Sequence, residues 1–107
     1  MYHIAFDRMA WETSPQGVRS KVHREGVRQL RLMEFGPDLD HPQWCTTGHL
    51  GYVLDGEVEF EFEDKVITLR AGDGLSISTG EGDRHRPRAV SAIVRMILIE
   101  EDVNPLP

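Results

Sequence analysis

The chain has 107 residues and a formal charge of −6, with a pI near 5.3, enough for one domain with one core and short for two. Its 12 Lys and Arg form no long run, which argues against a nucleic-acid or anionic-membrane partner, because phosphate binding draws on clustered cations. The lone cysteine, Cys45, has no partner for an intrachain disulfide. A free thiol suits the cytoplasm, and the apolar segment IVRMILIE is broken by Arg95 and is too short to span a bilayer. The expectation is a soluble cytoplasmic protein.

In chain order, residues 1–15 read as an N-terminal arm with a short strand over residues 2–6, residues 16–100 as a β-barrel, and residues 101–107 as a tail. VRSKVHR and VRQLRLMEF predict two strands about a Glu25-Gly26 turn. Residues 50–54 and VEFEFE over residues 58–63 predict two more. In the second, Val58, Phe60 and Phe62 share one face and Glu59, Glu61 and Glu63 the other, the period of a half-buried strand. Asp55-Gly56 between them tolerates the positive φ of a tight hairpin, so these strands are expected to pair. VITLR and LSIS repeat the pattern about AGDG (residues 71–74), and residues 90–99 read as a long strand buried on both faces. RHRPR, residues 84–88, reads as an exposed loop whose arginines could meet the glutamate row or hold an anionic group. His3 and His23 have no partner at motif spacing and read as surface or strand residues. Short strands punctuated by glycine, without an amphipathic helix, point to an all-β antiparallel barrel or sandwich.

GYVLDGEVEF followed by ITLRAGDGLSIS resembles the core of the cupins over residues 29–99. The resemblance implies a double-stranded β-helix barrel of jelly-roll type. The first cupin motif places two His and a Glu at fixed spacing before a glycine. Counting back from Gly56 puts His49 in the Glu place, with Cys45 and Gln43 in the His-x-His places. In the second motif Gly72 and Gly80 keep register, Ser78 replaces the proline, Asp83 falls where the last histidine is expected, and His85 lies just beyond. The spacing is kept while the residue types change.

The resemblance therefore implies a site at Cys45 and His49, completed by His85 or Asp83, with one position left open. Thiolate plus imidazole favours a divalent transition metal such as zinc, iron, nickel or copper over Mg²⁺ or Ca²⁺; His41 is a spare ligand candidate. If His49 points inward, so do Gly51 and Val53, and Gly51 reads either as room for a small ligand beside the imidazole or as accommodation for a bulge or a neighbouring aromatic. The expected pocket comprises Gln43, Gly51, Val53 and Phe60. A metal-free chemistry would use Cys45 as nucleophile and His49 as acid/base, with Asp83 or Glu34 as the orienting third group. Two functions follow from the resemblance: a metal-dependent oxidoreductase, isomerase or lyase acting on an organic-acid-like metabolite, or a non-catalytic small-molecule binding or sensing module. The outward side chains Leu50, Tyr52 and Leu54 are expected to be covered in a homodimer.

Overall fold

The strands flanking Glu25-Gly26 form the expected hairpin in a computed structural model that describes residues 2–101. They are the second and third of nine strands among the described residues: β1 Glu12–Thr13, β2 Val18–Glu25, β3 Arg28–Phe35, β4 His49–Asp55, β5 Glu57–Phe62, β6 Val66–Arg70, β7 Gly74–Ile77, β8 His85–Ala89 and β9 Val94–Glu101. These make two antiparallel sheets, of order β1-β2-β3-β9-β4-β7 and β6-β5-β8. Two 3₁₀ turns, Phe6–Arg8 and Glu81–Asp83, are the helical segments among the described residues, and none is long and apolar enough to cross a membrane.

Alternation decides which side chains enter the space between the sheets. Val58 and Phe60 from β5 meet Val53 from β4 and Val94, Met96 and Leu98 from β9, all at most 2% exposed. Each such burial is worth roughly 1.5–3 kcal/mol, so this layer dominates the energetics. In β9 only alternate residues are buried, correcting the expectation of two buried faces. Residues 90–93 precede that strand rather than belonging to it.

Asp55-Gly56 does not close a hairpin. β4 pairs with β7 and β9, while β5 pairs with β6 and β8, so the dipeptide turns the chain from one sheet into the other. Gly56 has φ +85° and lies against the Ile93 carbonyl where a Cβ would stand, and Ser91 Oγ accepts from the Glu57 amide at 2.9 Å. A permissive dipeptide allows a reversal, but contacts with distant residues decide whether the strands then pair. The AGDG turn between β6 and β7 likewise crosses between sheets.

All of RHRPR but Arg84 lies in strand β8, not in a loop. Its register places Arg86 opposite Glu61 and Arg88 opposite Glu59. Arg86 Nε bonds Glu61 at 2.8 Å, Arg88 pairs with Glu59, and Arg84 approaches Glu63 at 3.6 Å. Arg84 and Arg86 also flank the Trp44 ring, so these arginines meet the glutamate row of the neighbouring strand, as one of the two expectations had it.

The N-terminal segment forms no strand over residues 2–6. Lys21 Nζ donates to the Phe6 carbonyl at 2.7 Å, and Trp11 lies beside the Arg19 and Lys21 cations at 4.3 and 4.9 Å. At the other end Glu101 still belongs to β9, and residues 102–107 of the expected tail lie outside the described residues.

Candidate metal centre

Cys45 and His85 are brought together by backbone pairing. The Cys45 amide donates to the His85 carbonyl at 2.7 Å and the His85 amide returns a bond at 3.0 Å, an isolated antiparallel bridge that puts both side chains on one face. His49 enters from the start of β4, its Nε2 3.9 Å from Cys45 Sγ. The rings of His49 and His85 meet edge to face with centroids 4.9 Å apart. One ligand atom from each of Cys45, His49 and His85 lies within 4.8 Å of the others. His49 and His85 are 8% and 1% exposed, and Phe60 and Phe62 pack around His85.

The ring nitrogens facing away from this cluster are held. Nδ1 of His85 donates to the Asp83 carbonyl at 2.9 Å, leaving Nε2 as the ring's acceptor when the imidazole is neutral. That Nε2 is buried without a hydrogen-bond partner, a position that a metal ion would satisfy. Nδ1 of His49 lies 2.5 Å from Glu100 Oε2. Burial alone would push the Cys45 thiol up, but the adjacent imidazoles of His49 and His85 outweigh it and bring the group down to about 5. Burial would likewise disfavour charge on His49 and on Glu100. Against it, Cys45 and Glu100 raise His49 above the ordinary imidazole value, while His49, Arg31 and Gln29 hold Glu100 at about 2.

The centre opens on a cavity of about 490 Å³ whose walls include Ser20, Arg24, His41, Phe60 and Leu98. The smaller sheet has three strands against six, so part of the inner face of β2 is left uncovered, with Val22 half-buried and Arg24 exposed.

Several expected positions fall elsewhere. Asp83 contributes its carbonyl to His85 and is not one of the converging ligands; its chain position, two residues before β8, turns the side chain toward a different hollow beside Phe62 and Ile77. Gln43 is exposed and offers its carbonyl to His41 Nδ1 at 3.0 Å. Val53 is fully buried in the core, and Phe60 does line the cavity. Gly51 leaves no room for a ligand, because a Cβ there would stand 2.5 Å from Leu98 Cδ2 and 2.6 Å from the Ile97 carbonyl. It accommodates β9. Glu34 lies on the outer side of β3 between Arg19 and Arg95, each at 2.6 Å. The carboxylate beside His49 is Glu100, which an acidic residue in phase with Val94, Met96 and Leu98 could have signalled.

Residues 31–100 match the family described as Cupin domain. The chain is a cupin. No curated protein matches it by sequence. Among solved structures, it is similar to an RmlC-like cupin from Shewanella frigidimarina, at 11% identity and TM-score 0.78, covering 98% of this chain and 94% of that one. It is also similar to KdgF from Halomonas sp., at 19% identity and TM-score 0.72, with 92% of each chain covered. A cupin-2 domain-containing protein from Shewanella frigidimarina is 24% identical with TM-score 0.62, over 77% of this cupin and 78% of that chain. At these identities the likeness is one of fold, the all-β double-stranded β-helix of cupins, here with two facing sheets that do not close into a complete barrel.

Proposed function

We propose that this cupin is a metal-dependent enzyme acting on a small organic acid, with Cys45, His49 and His85 as the ligands of a divalent transition metal. The observation that carries the reading is the buried convergence of three ligand atoms within 4.8 Å of one another on the wall of a 490 Å³ cavity. Three protein ligands leave a position open, the arrangement of catalytic rather than structural sites. The donor set suits zinc, iron, nickel or copper. When bound, such an ion supplies Lewis acidity to a coordinated substrate oxygen.

The chain's own residues define the remaining chemistry. Arg24 lines the cavity, and its neighbour Glu25 pairs with His23 and Arg28 instead. Arg24 has no carboxylate partner among the described residues, so it is available to bind a carboxylate through a bidentate fork. Phe60 and Leu98 supply an apolar wall. His41 holds Nδ1 against the Gln43 carbonyl, which leaves Nε2 to accept a proton from a bound substrate. With zinc or ferrous iron loaded, small mono- and dicarboxylic acids should raise the melting temperature and be converted, with mass spectrometry reading the product. Arg24→Ala should weaken their binding about tenfold or more, the usual worth of a charge-assisted hydrogen bond. Neutral amides binding as well as the acids would defeat the substrate class. An acid that stabilises the protein but returns unaltered would make this a binding module.

We also propose that a second copy covers the outer face of the larger sheet. Leu50, Tyr52, Leu54 and Ile99 are 57%, 47%, 43% and 43% exposed there, and the register sets Leu50 opposite Ile99 and Tyr52 opposite Ile97, a continuous apolar surface. Sedimentation should show a dimer at micromolar concentration that Tyr52→Glu converts to monomer. A monomeric parent protein would remove this proposal.

A further inference from the structure

Strands β3, β9 and β4 lie side by side, and each sends one or more polar side chains into the cavity at the same level. Gln29 stands directly opposite Glu100 in the β3–β9 register, and Leu50 pairs with Ile99, which sets His49 beside Glu100 on the other side. The Glu100 carboxylate is only 3% exposed and is gripped from both flanks. Gln29 Nε2 donates to Oε1 at 2.7 Å, Arg31 Nη2 donates to Oε2 at 3.0 Å, and His49 Nδ1 lies against Oε2 at 2.5 Å, the carboxylate being its nearest charged neighbour on that side.

We infer that Glu100, clamped by Gln29 and Arg31, is the positioning residue of the metal centre: it keeps the proton of His49 on Nδ1 and aims Nε2 at Cys45 and His85. The inference rests on the metal reading proposed above. Its physical basis is that an imidazole has two ring nitrogens and a bond to one settles which the other can be. Without the carboxylate, the polar contact left to the His49 ring is Cys45 Sγ at Nε2, and nothing among the described contacts would hold the proton on Nδ1. His85 needs no such partner, because the Asp83 carbonyl already takes its Nδ1 proton. The two histidines are therefore aimed by different means, one by a backbone carbonyl and one by a buried charge from another strand. Partners of this kind change metal affinity by about 10- to 100-fold in other metalloproteins.

Arg31 gives the clamp a second role. Its charge offsets that of Glu100, so the carboxylate can hold His49 without adding a net negative charge to the centre. A divalent ion on a single thiolate then keeps a residual positive charge, which favours an anionic ligand in the open position.

The test compares zinc affinity by competition titration, and the absorption spectrum of the cobalt-loaded protein, for the parent chain, Glu100→Ala and Glu100→Gln. The alanine variant is expected to bind zinc about 10- to 100-fold more weakly with an altered cobalt spectrum, and the glutamine variant, which keeps an acceptor, to recover part of the loss. Should Glu100→Ala fail to fold, nitrogen chemical shifts of labelled histidine in the zinc-loaded parent decide the matter, with His49 expected protonated at Nδ1 and metal-bound at Nε2. Equal zinc affinity in the folded alanine variant, or coordination through Nδ1, overturns the inference while leaving the metal reading intact. A parent chain that binds neither zinc nor cobalt overturns both.

Discussion

Zinc at a thousandfold excess over its dissociation constant should stabilise the parent protein by about 4 kcal/mol, a rise in melting temperature on the order of 15 °C for a domain of this size. Cys45→Ser, His49→Ala and His85→Ala should each lose most of that rise, because a three-ligand site reduced to two holds its ion far more weakly. Differential scanning calorimetry with and without zinc measures this directly, and elemental analysis of the purified protein provides an independent check. A parent protein that melts at the same temperature in both conditions would sink the metal reading. The thiol offers a second readout. With Cys45 held at about 5 by the imidazoles beside it, its thiolate is present above that pH and is lost as the pH falls through it. Alkylation of the metal-free protein should therefore stay fast down to about pH 5, whereas a free cysteine slows below about pH 8.5. Bound zinc should protect the sulfur, and His49→Ala should move the profile back toward that of a free thiol.

Gly51→Ala should destabilise the fold by about 2 kcal/mol, within the range for overpacked cores, and lower the melting temperature by roughly 8 °C. Strand preference acts in the opposite direction, since alanine gains about 0.5–1 kcal/mol over glycine from the unfolded chain. The steric term wins because a Cβ at residue 51 would stand 2.5 Å from Leu98 Cδ2 and 2.6 Å from the Ile97 carbonyl, and the second neighbour is backbone that cannot swing away. Leu98→Ala alone should cost about 2–5 kcal/mol, and the double variant less than the sum, because each change relieves part of the other's fault. Chemical denaturation of the four proteins closes the cycle. A stable Gly51→Ala protein that no longer binds a ligand would return Gly51 to the pocket.

Local signals served well where partners are close in sequence. β2 and β3 pair across Gly26 because the turn and both apolar faces lie within one stretch of chain. β8 was obscured by its composition: Pro87 between Arg86 and Arg88 suggests a loop, yet Pro87 sits on an edge strand, where a missing amide donor costs least. Of the candidate ligands, Cys45, His49 and His85 could be named from motif spacing, and the structure brings them together. Asp83 could not be excluded that way, because spacing does not tell a side-chain ligand from a carbonyl that braces the next histidine.

Alternation and glycine spacing, which depend on neighbours only a few residues apart, were enough to specify strands and an all-β antiparallel fold, and the resemblance to the cupin motifs named the residues able to bind a metal. That β4 and β5 join different sheets, that Gly51 yields its space to Leu98, and that Glu100 lies beside His49 were decided by tertiary structure alone. Glu100 is 71 residues from Gln29 in the chain, and a contact of that range depends on the register of three strands at once. Periodicity along β9 puts Glu100 on the inner face but does not name the residues it meets there.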